Sequence, residues 1–232
     1  MVVLDYMHCV DAGITSYVLG SVWWSLLPHL TRVRHRAQSV VRHFGLQSLK
    51  ARLKKWYQAR RTDSRVPVNK LTLKKLKMKR TFKLKSKAAQ ANRLVPFTRE
   101  LAEELRHKDG TLGEDRFRCL WFLEQINILS RKQDLTTDDL FQWRWYSTQF
   151  VFHYVRCGYH VAPKFHWFFH FPHIIQRHGA PRSFYLYSDE SKNADIKRLF
   201  RACSNSVNVC ASIMVRLGWQ QALLAHKRDL AA

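Results

Sequence analysis

VAPKFHWFFHFPHIIQRHGAPRSFYLYSDESKNADIK, residues 161–197, gathers histidines, aromatics, prolines and acids into one unit. Pro163 has no place inside a helix but suits a first turn, so a helix is expected to begin at Lys164 and run toward His173. His166 and His170, four apart, then share one face. Pro172 limits that helix or kinks it. Gly179, Ala180 and Pro181 make a turn ahead of the aromatic run Phe184, Tyr185, Leu186, Tyr187. Asp189 and Glu190 follow, and residues 191–200 read as a further helix.

At the other end of the chain, Val2-Val3-Leu4 is a short apolar run that Asp5 closes, the pattern of a strand ending in an acid. Asp5 and His8 lie three apart at the start of a helix or turn, where one can orient the other. Equally, Asp5 can serve as an N-cap and His8 as a satisfied core histidine. Residues 14–27 are expected to be an apolar helix. Residues 12–30 carry no Asp, Glu, Lys or Arg and are followed by the basic run 31–36, the outline of a signal anchor. The run is barely long enough to span, is broken by Pro28 and is diluted by Thr15, Ser16, Gly20, Ser21 and Ser25. Asp5 stands ahead of it in place of a basic segment, so a buried core helix is expected and a membrane partner is not.

The 232 residues are 46% hydrophobic, enough to bury a core in one fair-sized domain or two small ones. The formal charge of +23 calls for a polyanionic partner, DNA or RNA before an acidic membrane. The cysteines Cys9, Cys119, Cys157, Cys203 and Cys210 are odd in number and form no Cys-x-x-Cys pair, which argues against a disulfide framework or a zinc ribbon and for a reducing compartment.

Most of the charge lies in residues 31–93, where Asp63 is the only acid. A basic helix is expected up to about Arg61, and residues 62–69 with Pro67 break it. In residues 70–87 lysines then alternate with Leu, Met and Phe. With so few acids to pair with, Arg52, Lys54, Lys55, Arg60, Arg61, Lys70, Lys74, Lys75, Lys77, Lys79, Arg80, Lys83, Lys85 and Lys87 are candidate phosphate contacts. Such a cluster also serves as a nuclear localisation signal, so the nucleus is the expected compartment. No zinc-finger spacing or helix-turn-helix is visible, so the expected contact is with the backbone and independent of base sequence.

Pro96 reads as a boundary, with Thr98 as N-cap of a helix over residues 99–107 whose early acids suit its dipole. Asp109-Gly110 ends it, and residues 116–129 form the next helix. Thr136-Thr137-Asp138-Asp139 offers a capping box ahead of a long helix over residues 140–155. Its Phe141, Trp145, Thr148, Phe152 and Val155, at helical spacing, are expected in the core. Trp143, Trp145 and Tyr146 could instead stack on unpaired bases. His166 and His170 have the spacing of two zinc ligands, but Trp167 stands where a His-Glu-x-x-His motif has its Glu, and no third ligand is evident. The final segment, residues 204–224, reads as one or two helices closing the core.

The order Pro163-Lys164-x-His166-x-x-x-His170, helix, Gly179-x-Pro181, aromatic pair, then Tyr187-x-x-Glu190 ahead of a lysine-containing helix resembles the C-terminal end of the catalytic region of CACTA-like, DDE-type cut-and-paste DNA transposases. Leu4-Asp5-Tyr6-Met7-His8 and the apolar helix after it resemble that family's Asp-x-x-His element. The resemblance implies that Glu190 is the last of three metal-binding acids, that Asp5 and His8 support the site, and that His166 donates a hydrogen bond beside Glu190. It implies a mainly α chain with a small α/β remnant of an RNase H-like core where residues 2–5 and 184–187 approach. Four segments follow: 1–30 and 161–232 from the core, 31–95 a basic helical arm or linker, and 96–160 a helical insertion.

In the family the first two acids lie upstream of the Asp-x-x-His element, before the four residues that precede Asp5 here. One Glu cannot hold the paired ions of two-metal chemistry, so a DNA-binding chain without strand cleavage is expected. If activity is retained, Mg²⁺ is the expected ion, suited to hard oxygen ligands. A nucleic-acid-binding protein with no catalytic ancestry is the first alternative, and a membrane protein anchored through residues 12–30 is the second.

Overall fold

The computed structural model describes residues 5–60, 64–77 and 81–181. The chain divides into two compact units, Met1–Tyr185 and Leu186–Ala232, and every described residue belongs to the first. Among the described residues the structure is helical, and their one β-contact is an isolated antiparallel bridge between Lys77 and Phe82. The expected strand residues 2–4 and 184–187 lie outside the described residues, as do the segments 191–200 and 204–224.

The chain enters through a wide π-helical stretch, Met7–Thr15, which runs into α1 (Ser16–Leu26) and a 3₁₀ turn, Leu27–Leu30, with Pro28 in its first turn. Tyr6, Val10, Ile14, Val18, Val22 and Trp23 are fully buried, which makes this stretch the core helix that its apolar composition predicts. Among the described residues no helix is long and apolar enough to cross a membrane.

Helix α2 (Gln38–Ala59) follows, turning Leu49, Leu53 and Trp56 inward. The leucines of the basic segment after it join the core. Leu71, Leu76 (in the short α3, Leu73–Leu76) and Leu84 are at most 1% exposed, and Lys74 and Lys77 between them are turned outward by the burial of their neighbours. The pieces 73–77 and 81–85 run antiparallel, with Lys83 N–H donating to the Leu76 carbonyl at 3.0 Å and Lys85 N–H to that of Lys75 at 2.9 Å.

Helix α4 (Ala88–Glu104) corrects the reading of Pro96, which lies inside it. Pro96 withdraws one backbone donor, but Leu94, Val95, Phe97 and Leu101 around it are buried, and that packing carries the helix through. Thr98 is no cap. Its hydroxyl donates to the Leu94 carbonyl at 2.8 Å and accepts from Trp23 Nε1 at 2.9 Å, which locks α4 to α1.

A 3₁₀ turn, Arg106–Asp109, and Gly110, at φ 55°, lead into α5 (Thr111–Leu129), which pairs with α6 (Thr137–Arg156). The capping box is as the sequence predicts: Asp139 N–H donates to Thr136 Oγ1 and Thr136 N–H to Asp139 Oδ2. The face of α6 is not. Trp143, Ser147, Phe150 and Tyr154 are buried, whereas Phe141, Trp145, Phe152 and Val155 are exposed. Both sets have helical spacing, and the aromatics buried around Trp143 and Phe150 decide which one turns inward. Pro172 ends the helix begun at Lys164, giving α7 (Lys164–Phe168) and α8 (Phe171–His178), and Gly179, at φ 84°, makes the expected turn.

Candidate nucleic-acid interface

Two glycines on one face of the entry helix decide what can cross it. At Gly20 an added Cβ would stand 2.6 Å from Lys83 N and Cα, so the segment after Phe82 lies directly on α1, and Leu84 N–H donates to the Ser16 carbonyl at 2.8 Å. At Gly13 a Cβ would meet Lys164 Cδ at 2.7 Å, so this side chain lies across the π-helical stretch and its Nζ donates to the His8 carbonyl at 2.7 Å.

These crossings set cations in a row. Arg42 from α2 stands 4.8 Å from the Trp24 ring centroid and Lys77 Nζ stands 5.5 Å from it, while Phe82 stacks on the same ring at 4.9 Å. About two turns toward the N-terminus, Lys83 Nζ lies 5.0 Å from the Tyr17 ring. Burial, and next the charge of Lys164, hold the Lys83 ammonium below its ordinary value. Lys164 closes the row at Gly13. From Trp24 to Gly13 the row spans roughly 15 Å, a length over which duplex DNA presents about nine charges.

The other predicted cations divide. Lys54, Lys55, Lys70, Lys74, Lys85 and Lys87 are exposed, Lys75 is partly covered, and none forms an ion pair among the described residues. Arg52 and Arg60 are not free for phosphate. Arg52 pairs with Glu104 at 2.6 Å, and Arg60 pairs with Glu100 at 2.9 Å while lying over Trp56. Acids of α4 that the sequence places forty or more residues away neutralise this end of α2. Arg61, Lys79 and Arg80 lie outside the described residues.

At the far end of the row, Asp5 accepts from the amides of His8, at 2.8 Å, and Met7, at 3.2 Å, and from the His8 ring at Nδ1. It is therefore both cap and orienter, the two roles left open by spacing alone. Cys9 Sγ donates to the Lys164 carbonyl at 3.6 Å, so the Asp-x-x-His and Pro-Lys-x-His elements pack together although they stand far apart in sequence. His166 meets His170, Nε2 to Nε2 at 3.2 Å. Glu190, and with it the predicted convergence on Asp5 and His8, lies outside the described residues.

Glu190, the acid expected to hold Mg²⁺, is not among the described residues. The Asp5 carboxylate is taken up by two amides and an imidazole, and no group of three or more His, Cys, Asp or Glu suited to a metal occurs among them. A second acid–histidine pair, buried between α5 and α6, is structural. Asp115 accepts from His153 at 2.7 Å and from Arg156 at 2.9 Å. Burial raises its pKa, but the two hydrogen bonds and the Arg156 charge outweigh that and hold the carboxyl below its ordinary value. Burial pushes the neighbouring Cys157 thiol up to about 12, which removes it as a nucleophile.

Sequence reasoning missed Arg42, Lys164, Tyr17 and Trp24. The signal in the sequence was Gly13 and Gly20, seven apart on one face of the entry helix, which leave room for Lys164 and for the backbone at Lys83. Comparison with protein-family models, curated proteins and solved structures finds no match to this chain.

Proposed function

We propose that this chain binds nucleic-acid backbones without reading base sequence, DNA first and RNA second, through the cation row along α1 and the outward lysines beside it. The observation that carries the reading is the row itself: Arg42, Lys77, Lys83 and Lys164, drawn from four parts of the chain, stand along one helix. Bringing like charges together, with Lys83 half-buried, is unfavourable unless an anion compensates.

The DDE-type transposase origin is part of this proposal. It rests on the sequence resemblance and draws support from the packing of Asp5 and His8 beside Lys164. On that reading the chain keeps a DNA-binding surface without strand-cleaving chemistry, and it works in the nucleus. An RNase H-like remnant would involve residues outside those described.

The test is a titration into a labelled duplex from about 50 to 300 mM salt, with and without Mg²⁺. The expected result is steep salt dependence, no nicking, and a slope lowered by about 2 in Lys77→Gln/Lys83→Gln. An unchanged slope in that variant overturns the surface. Metal-dependent nicking overturns the loss of catalysis.

A further inference from the structure

The outer face of α6 carries apolar side chains that its own fold does not use. Phe141, Trp145, Phe152 and Val155 are 73%, 54%, 50% and 52% exposed, and Thr148 between them is exposed too. Along the helix these positions step by four, three, four and three residues, the alternation of a coiled-coil seam. In a seam so placed, the positions that point away are 143, 147, 150 and 154, and those are the residues buried in this chain's own core. The helix therefore has one apolar face packed at home and a second, on its opposite side, spaced to receive another helix.

We propose that this outer face is where two copies of the chain associate, α6 against an antiparallel α6. The seam is nearly self-complementary, with large residues toward each end and the small Thr148 at its centre, as a closed two-fold pairing requires. Asp134 and Asp138 are exposed at the N-terminal end, and Arg156, whose Nε holds Asp115, is half-exposed at the C-terminal end, so antiparallel pairing sets acid opposite base. The four apolar side chains leave roughly 400 Å² uncovered per chain. Two copies together with their polar rim therefore reach the total of about 1,000 Å² that a specific interface needs.

The test is sedimentation velocity on the full chain, treated with nuclease and held at high salt so that nucleic acid cannot bridge copies, from about 1 to 100 µM. The wild-type protein is expected at twice its 27.6 kDa chain mass. Trp145→Glu/Phe152→Glu is expected to weaken association at least about 100-fold while the helical circular dichroism stays unchanged. If that variant fails to fold, Thr148→Arg, which removes no core packing, carries the same expectation. A wild-type monomer throughout the range overturns the proposal, as does a dimer that survives these substitutions. A monomer that uses this face for another protein also counts against it.

Discussion

Gly20→Ala tests whether the basic segment lies on α1. The added methyl would stand 2.6 Å from Lys83 N and Cα and 2.7 Å from Leu84 N, all backbone atoms that no rotamer change can move. The segment must lift, stretching the 2.8 Å bond from Leu84 N–H to the Ser16 carbonyl and uncovering Leu84, which is 1% exposed. Overpacking of this kind costs about 1–3 kcal/mol, and alanine returns about 1 kcal/mol of helix propensity, so a net loss of up to about 2 kcal/mol is expected. Full release of Leu84 would add about 2 kcal/mol. The same displacement draws Lys83 away from Tyr17 and Lys77 from Trp24, so the salt slope of DNA binding falls along with stability. Urea denaturation and a salt titration on one preparation check both. A variant within about 0.5 kcal/mol of wild type, with its salt slope intact, refutes the reasoning.

Thr136→Ala removes the cap of α6 and is expected to cost about 1 kcal/mol in urea denaturation; no loss would show the helix held by packing alone. Asp115 is depressed in the folded state, so its stabilising contribution is present above the ordinary carboxyl range and is lost as pH falls through its folded value. Between about pH 4 and pH 2 the wild-type protein should therefore lose more stability than Asp115→Asn, and parallel curves would contradict this. Burial pushes the thiol of Cys9 up to about 11 and that of Cys157 to about 12. At about pH 8 both should alkylate slowly until urea is added, as site-resolved mass spectrometry can follow; rapid native labelling of either would contradict their burial.

What the sequence made legible was local. The capping box at Thr136, the stop at Asp109-Gly110, the break at Pro172 and the apolar entry helix each follow from residues within one or two turns. The reading failed where distant partners decide. Pro96 stays inside α4 because buried neighbours outweigh one missing donor, and sequence shows the missing donor but not the neighbours. Helix α6 is apolar on two sides, so periodicity alone cannot choose its inner face. Residues 70–87 read as part of a basic arm or linker because charge dominates their composition. Their leucines find a place on α1 only because Gly20 leaves room for a backbone there. At the candidate site, Asp5 and His8 were legible as a pair, while the cations that meet above α1 come from segments whose approach no local pattern announces.

Lysine acetylation footprinting, with and without a duplex of about 20 base pairs at low salt, tests the central claim most directly because it asks where the polyanion sits. The account predicts strong protection of Lys77, Lys83 and Lys164 on DNA binding, with Lys108, on the 3₁₀ turn after α4, acetylated equally in both samples. Protection of Lys108 while Lys77 and Lys83 remain as reactive as in free protein would place the nucleic acid elsewhere and contradict the account.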